Sequence, residues 1–116
     1  MTIVYGIPNC ASVKKARQWL ETHGIEAQFH DFKKLGVTTD LLSHWIDAAG
    51  LDSVLNRRGT TWRKLTDEQR ATAATTAGAI ELMISHSSLI KRPVIEHQQQ
   101  LLLGFDEIRY REVFAQ

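Results

Sequence analysis

A chain of 116 residues, 43% of them hydrophobic, is long enough to bury one working core without staples. Its single cysteine excludes an intrachain disulfide and a thiolate zinc cage, and it fits a reducing compartment. With 14 Lys+Arg against 13 Asp+Glu the formal charge is +1, too balanced for nucleic acid to be the main direct partner, so any anion must be met by a local cluster. The opening MTIVYGIPNC has no basic segment followed by an apolar one, and no run approaches bilayer length. A cytoplasmic chain with no membrane partner is expected.

In chain order, Ile3-Val4-Tyr5 is a short apolar run ended by Gly6 and Pro8, which predicts a buried strand. Val13, Ala16 and Leu20 then recur at helical spacing among Lys14, Lys15, Arg17 and Glu21, and Gly24 closes the segment. Asn9 is the predicted N-cap of this helix, because its side-chain oxygen can accept a free N–H of the first turn. That assignment puts Cys10 at the first helical position. Residues 28–32, QFHDF, predict a second strand, and strand, helix, strand is the parallel crossover unit.

The middle of the chain predicts helices. Thr39 or Asp40 is the expected cap of a segment carrying Leu41, Leu42, Trp45 and Ile46, ended by Gly50. Leu51 to Leu55 follows, and NRRGTTWRKL is expected as a loop between short helices. Thr66 with Gln69 fits a capping box. Ile80, Met83 and Ile84 continue the helical period to about His86. Beyond Pro93, Val94-Ile95 and Leu101-Leu102-Leu103 flank the polar HQQQ as a predicted β-hairpin, and Ile108, Val113 and Phe114 mark a final amphipathic helix.

Cys10 leaves the first strand at the carboxyl edge of the sheet, where open α/β sheets bind ligands. A thiol in the first turn of a helix meets free N–H groups and the positive end of the helix dipole, and Lys14 and Lys15 are expected to add charge. The species expected is a thiolate. A CxxC oxidoreductase needs a second thiol at Val13, and a cysteine phosphatase loop needs an arginine at Ala16, where Arg17 is one place late. Monothiol exchange, resolved by an external thiol such as glutathione, is the remaining redox route that closes a cycle. The five histidines show no metal-ligand spacing. Trp19, Trp45 and Trp62 are expected in packing, and Arg58, Arg63 and Lys64 on a solvated surface.

YGIPNC followed by VKKA, then HDFKK, LNRRGTTWRKL, the IKRP of Ile90 to Pro93 and LLLGF together resemble the glutaredoxin-type arsenate reductase family, the ArsC/Spx group, and within it the YffB-type branch. The resemblance covers essentially the whole chain. It implies one α/β domain over residues 1–116 with a thioredoxin-like fold and a helical insertion, at about 38–86, between the βαβ unit and the ββα unit. It also implies a nucleophile at Cys10, anion-binding arginines at Arg57 and Arg92, and a cis-proline at Pro93 facing the thiol. Asn9 and Lys14, on either side of the cysteine, complete the expected binding set.

Two departures lead away from arsenate: Gly6 stands where arsenate reductases of this type carry a histidine, and LLLGFDE stands where they bring a third arginine. The expected activity is therefore that of a glutathione-dependent monothiol reductase or transferase. Glutathione is the expected co-substrate and glutaredoxin an alternative thiol partner, with no tightly bound cofactor, no metal and a monomeric chain. Glutaredoxin-coupled arsenate reduction and a non-catalytic, Spx-like module docking on RNA polymerase remain open as alternatives.

Overall fold

The computed structural model describes residues 1–115. They form two compact units, one made of Met1–Leu35 with the segment from Arg92 onward, the other of Gly36–Lys91. In the first unit, strand β1 (Thr2–Gly6) leads through a turn into helix α1 (Ala11–Thr22), then strand β2 (Gln28–Asp31) and the short helix α2 (Phe32–Leu35). In the second unit come α3 (Thr39–Ala49), α4 (Leu51–Val54), α5 (Thr60–Lys64), α6 (Asp67–Thr72), α7 (Thr76–Ser85) and a 3-10 turn at Ser87–Leu89. The chain returns to the first unit with β3 (Val94–His97), β4 (Gln100–Leu103) and α8 (Glu107–Phe114). The sheet order is β2-β1-β3-β4, with β1 parallel to β2 and antiparallel to β3. A βαβ unit and a ββα unit share this sheet, and the helices between them in sequence complete a thioredoxin-like fold with a helical insertion.

Register explains where the first unit's core lies. Val4 pairs with Phe29 and with Ile95, and Ile95 pairs with Leu102, so these side chains point to one face of the sheet. There they pack with Ala16, Trp19 and Leu20 of α1 and Tyr110 and Phe114 of α8. The next register row, Tyr5 with His30 and Val94, faces the other way. On that side the Tyr5 hydroxyl donates to Glu96 Oε1 at 2.8 Å, and burial together with this carboxylate pushes the phenol pKa up. The hairpin is joined by Gln98 and Gln99, and Gln98 adopts φ 55, the left-handed conformation that two-residue hairpin loops require.

Several boundaries differ from the sequence expectation, each for a local reason. Phe32 opens α2 instead of ending β2, because the buried Asp31 carboxylate accepts the Lys33 N–H at 2.9 Å and turns the chain. Thr38 caps α3, ahead of the expected Thr39 or Asp40, and its hydroxyl accepts the Leu41 N–H at 3.1 Å. The stretch expected as a loop at NRRGTTWRKL contains the helical turn α5. In α8 the buried pair is Tyr110 and Phe114, while Ile108 is 72% exposed. The capping box of Thr66 and Gln69 forms as expected, with both reciprocal bonds present. Within the second unit, bonds from Asn56 N–H to Leu89 O and from Lys91 N–H to Val54 O tie the exit of α4 to the last residues of the unit, and Trp45, Leu42 and Met83 are fully buried.

Candidate active site

The turn after β1 delivers Cys10 to the head of α1, one place from where the sequence predicts it. Cys10 is the N-cap, at φ −132 and ψ 126, and α1 starts at Ala11. Asn9 is therefore not the cap; it stands exposed just before the thiol. The shift matters because an N-cap side chain is the one that faces the free N–H groups of the second and third helical residues. Cys10 closes no capping bond of ordinary length and angle, yet the N–H groups of Val13 and Ser12 are directed at its sulfur. A large, diffuse sulfur takes from these dipoles what an oxygen cap takes by a short bond.

Arg92 supplies the charge. Its side chain hydrogen-bonds the thiol, and its guanidinium attracts the thiolate. Burial pushes the Cys10 thiol up, but the Val13 N–H, Arg92 and the Ser12 N–H together outweigh it and hold the thiol below its ordinary value. The charge expected from Lys14 and Lys15 does not act in this way: both side chains are exposed, and the cation at the sulfur is Arg92. Arg92 reaches Cys10 because β3 runs antiparallel beside β1, with Val94 paired to Tyr5. The Arg92–Pro93 peptide is cis, and Pro93 itself is buried.

The support behind Pro93 was not legible in sequence. The Gly104 N–H donates to Pro93 O at 2.8 Å, and the Tyr110 hydroxyl donates to Gly104 O at 2.7 Å. Tyr110 is buried, so its phenol pKa is pushed up and it stays a donor. Gly104, at φ 77, lets the chain turn between these partners. The faint signal was the glycine of LLLGF followed six residues later by a tyrosine.

Gly6 has a second, steric reason for lacking a side chain. A Cβ built there would lie 2.7 Å from Val13 Cγ2. The position where arsenate reductases of this type carry histidine is therefore filled by α1 itself. Arg57 belongs to the other unit, where it bonds Asp52 Oδ1 at 2.6 Å and lies 5.7 Å from the Trp62 ring centroid. Its charge is already met by a carboxylate. Among the described residues no cluster of His, Cys, Asp or Glu could hold a metal ion, and no helix is long and apolar enough to cross a membrane.

Known proteins resemble this chain over nearly its whole length. The solved structure of the YffB protein is 43% identical with a TM-score of 0.95, covering 99% of this chain and 100% of that one. A Haemophilus influenzae protein is 40% identical over 115 residues, 99% of this chain and 100% of its own. The global transcriptional regulator Spx of Streptococcus pyogenes is 27% identical over 113 residues, 96% of this chain and 83% of its own. The profile of the ArsC family matches residues 5–113. With the thiol at the head of α1 and a cis-proline just ahead of β3, this match shows that the chain belongs to the ArsC family.

Proposed function

We propose that the protein is a glutathione-dependent thiol reductase in which Cys10 is the nucleophile. The observation that carries this reading is the sulfur's setting: one partly exposed cysteine, held toward the thiolate by two backbone N–H groups and Arg92, in a chain with no other thiol. The thiolate attacks the glutathione sulfur of a mixed disulfide, forming Cys10–S–S–glutathione and releasing the substrate thiolate, which takes a proton from water. The thiolate of a second glutathione then attacks this bond, leaves as glutathione disulfide and returns the Cys10 thiolate. One glutathione thiol is oxidised, the transferred glutathionyl sulfur stays at disulfide level throughout, and one substrate thiol is restored, so no resolving cysteine is needed.

Glutathione is an extended tripeptide with two carboxylates. Arg92 offers a planar fork to one of them. The backbone preceding a cis-proline is suited to pair with an extended ligand. Asn9 and Lys14, exposed on either side of the thiol, are assigned to its remaining polar groups. Arsenate is the less favoured substrate, because the Gly6 position is closed by Val13 and no arginine occurs between Pro93 and Asp106. The test is turnover of a glutathionylated substrate by the purified protein, with mass spectrometry for the Cys10–glutathione adduct. Turnover with the adduct is expected. Binding of glutathione absent at millimolar concentration, with no adduct, overturns the reading in favour of a docking module.

A further inference from the structure

A groove of about 650 Å³ is lined by residues of α1 from Lys14 onward and by Phe105 and α8. Its lining includes the rings of Trp19 and Phe105 and the cations Lys14, Lys15 and Arg111, against one carboxylate, Glu107. The volume lies in the range of ligand sites, about 300–1,000 Å³. Glu107 already bonds Arg111 at 2.8 Å, which leaves the two lysines as uncompensated charge in the lining. The Trp19 ring does not offer an open face for a nucleobase, because His23 stacks on it with centroids 3.9 Å apart.

The direction of the groove ties it to the chemistry. Lys14, Lys15, Gln18 and Thr22 form one stripe of α1, at helical spacing, that starts in the turn following Cys10. From Lys14 to Thr22 this stripe is about 12 Å long, the reach of about four residues of extended chain. We propose that the groove receives an acidic, extended segment of a protein whose glutathionylated cysteine is reduced at Cys10. This rests on the thiol reductase reading for the identity of the partner, and on charge complementarity for its chemistry. An apolar side chain of that segment meets Phe105, and its carboxylates meet Lys15 and, in competition with Glu107, Arg111, whose side chain is 66% exposed.

The test separates docking from catalysis by removing the thiol. Isotope-labelled Cys10→Ser protein is titrated with a hexapeptide of four glutamates, one leucine and a serine in the cysteine's place, and with the same peptide carrying lysines for glutamates. The acidic peptide is expected to shift amide signals in Lys14–Thr22 and Phe105–Arg111, and the indole signal of Trp19, whose Nε1–H has no hydrogen-bond partner among the described residues. Lys15→Gln and Arg111→Gln should each weaken binding about two- to fivefold, as for other exposed ion pairs. Glu107→Gln should strengthen it, because it frees Arg111, and a merely structural role for Glu107 would not give that sign. No shift at millimolar acidic peptide, shifts elsewhere, or equal binding of the lysine peptide overturns the proposal. A second arm uses Arg111→Gln with Cys10 in place: turnover of a small glutathionyl disulfide should be unchanged while turnover of the glutathionylated acidic peptide falls. Normal small-disulfide turnover without peptide mapping removes the groove alone, and peptide mapping without any turnover removes the reductase reading and leaves the groove.

Discussion

Arg92, just ahead of β3, turns its guanidinium to a sulfur, whereas Arg57, after α4, turns its guanidinium to the carboxylate of Asp52. Both are arginines marked by the same family pattern, and both are held in place before any ligand arrives. The partners differ in kind. The Asp52 side chain is 90% exposed, so that pair is a solvent-screened surface contact. Cys10 can be charged or neutral, and Arg92 is one of the groups that tip it toward charge. The difference teaches that an arginine's role here follows from its counterion, which residue type and family position leave unspecified.

The largest expected effect is at the counterion itself. Cys10→Ser should abolish turnover and adduct formation while leaving non-covalent glutathione affinity nearly intact. It should also change how stability depends on pH. Because the folded-state thiol lies below its unfolded value, its contribution is fully present above about pH 8.5, the ordinary thiol value. It is lost as pH falls through the folded-state value. Denaturant melts of the parent and Cys10→Ser should therefore diverge as pH rises across that window; a constant difference from pH 5 to 9 would contradict the assignment.

Next in size is Arg92→Gln, which keeps bulk and removes the charge at the sulfur. Alkylation rate against pH should show a midpoint moved up toward that of a free thiol. Glutathione affinity should fall by about ten- to hundredfold, the worth of one charged hydrogen bond. Arg92→Lys should recover part of the thiol shift but less of the affinity, since an ammonium is a point charge without the planar fork. An unmoved alkylation midpoint in Arg92→Gln would assign the shift to the Val13 and Ser12 N–H groups alone.

The smallest effect is expected at Arg57. Arg57→Gln removes the exposed ion pair with Asp52 and the contact over Trp62, so stability should fall by no more than about 1 kcal/mol. Glutathione binding should weaken only about two- to fivefold, measured by calorimetric titration at low and high salt. A loss as large as that of Arg92→Gln would erase the contrast between the two arginines.

What the chain determined by itself was local. The close of α1 is one example: Gly24 sits at φ +69, its N–H bonds Glu21 O and the Ile25 N–H bonds Leu20 O, all within six residues. The capping box of Thr66 and Gln69 and the two apolar runs that make the hairpin strands are of the same kind, because their partners are sequence neighbours. The lone cysteine at a strand-to-helix turn was equally plain, and with it the choice of thiol chemistry. Tertiary structure alone decided which groups surround that thiol. Lys14 and Lys15 were near in sequence and turned outward with the helix surface, while Arg92 came from the far end of the chain because β3 pairs with β1. The same holds for Tyr110, which displaced Ile108 from the buried face of α8 because its hydroxyl finds Gly104 O behind Pro93. Caps and periods are written in short spacings that a sequence displays; a counterion brought by strand pairing or a hydrogen bond closed through a third element exists only once the sheet has formed.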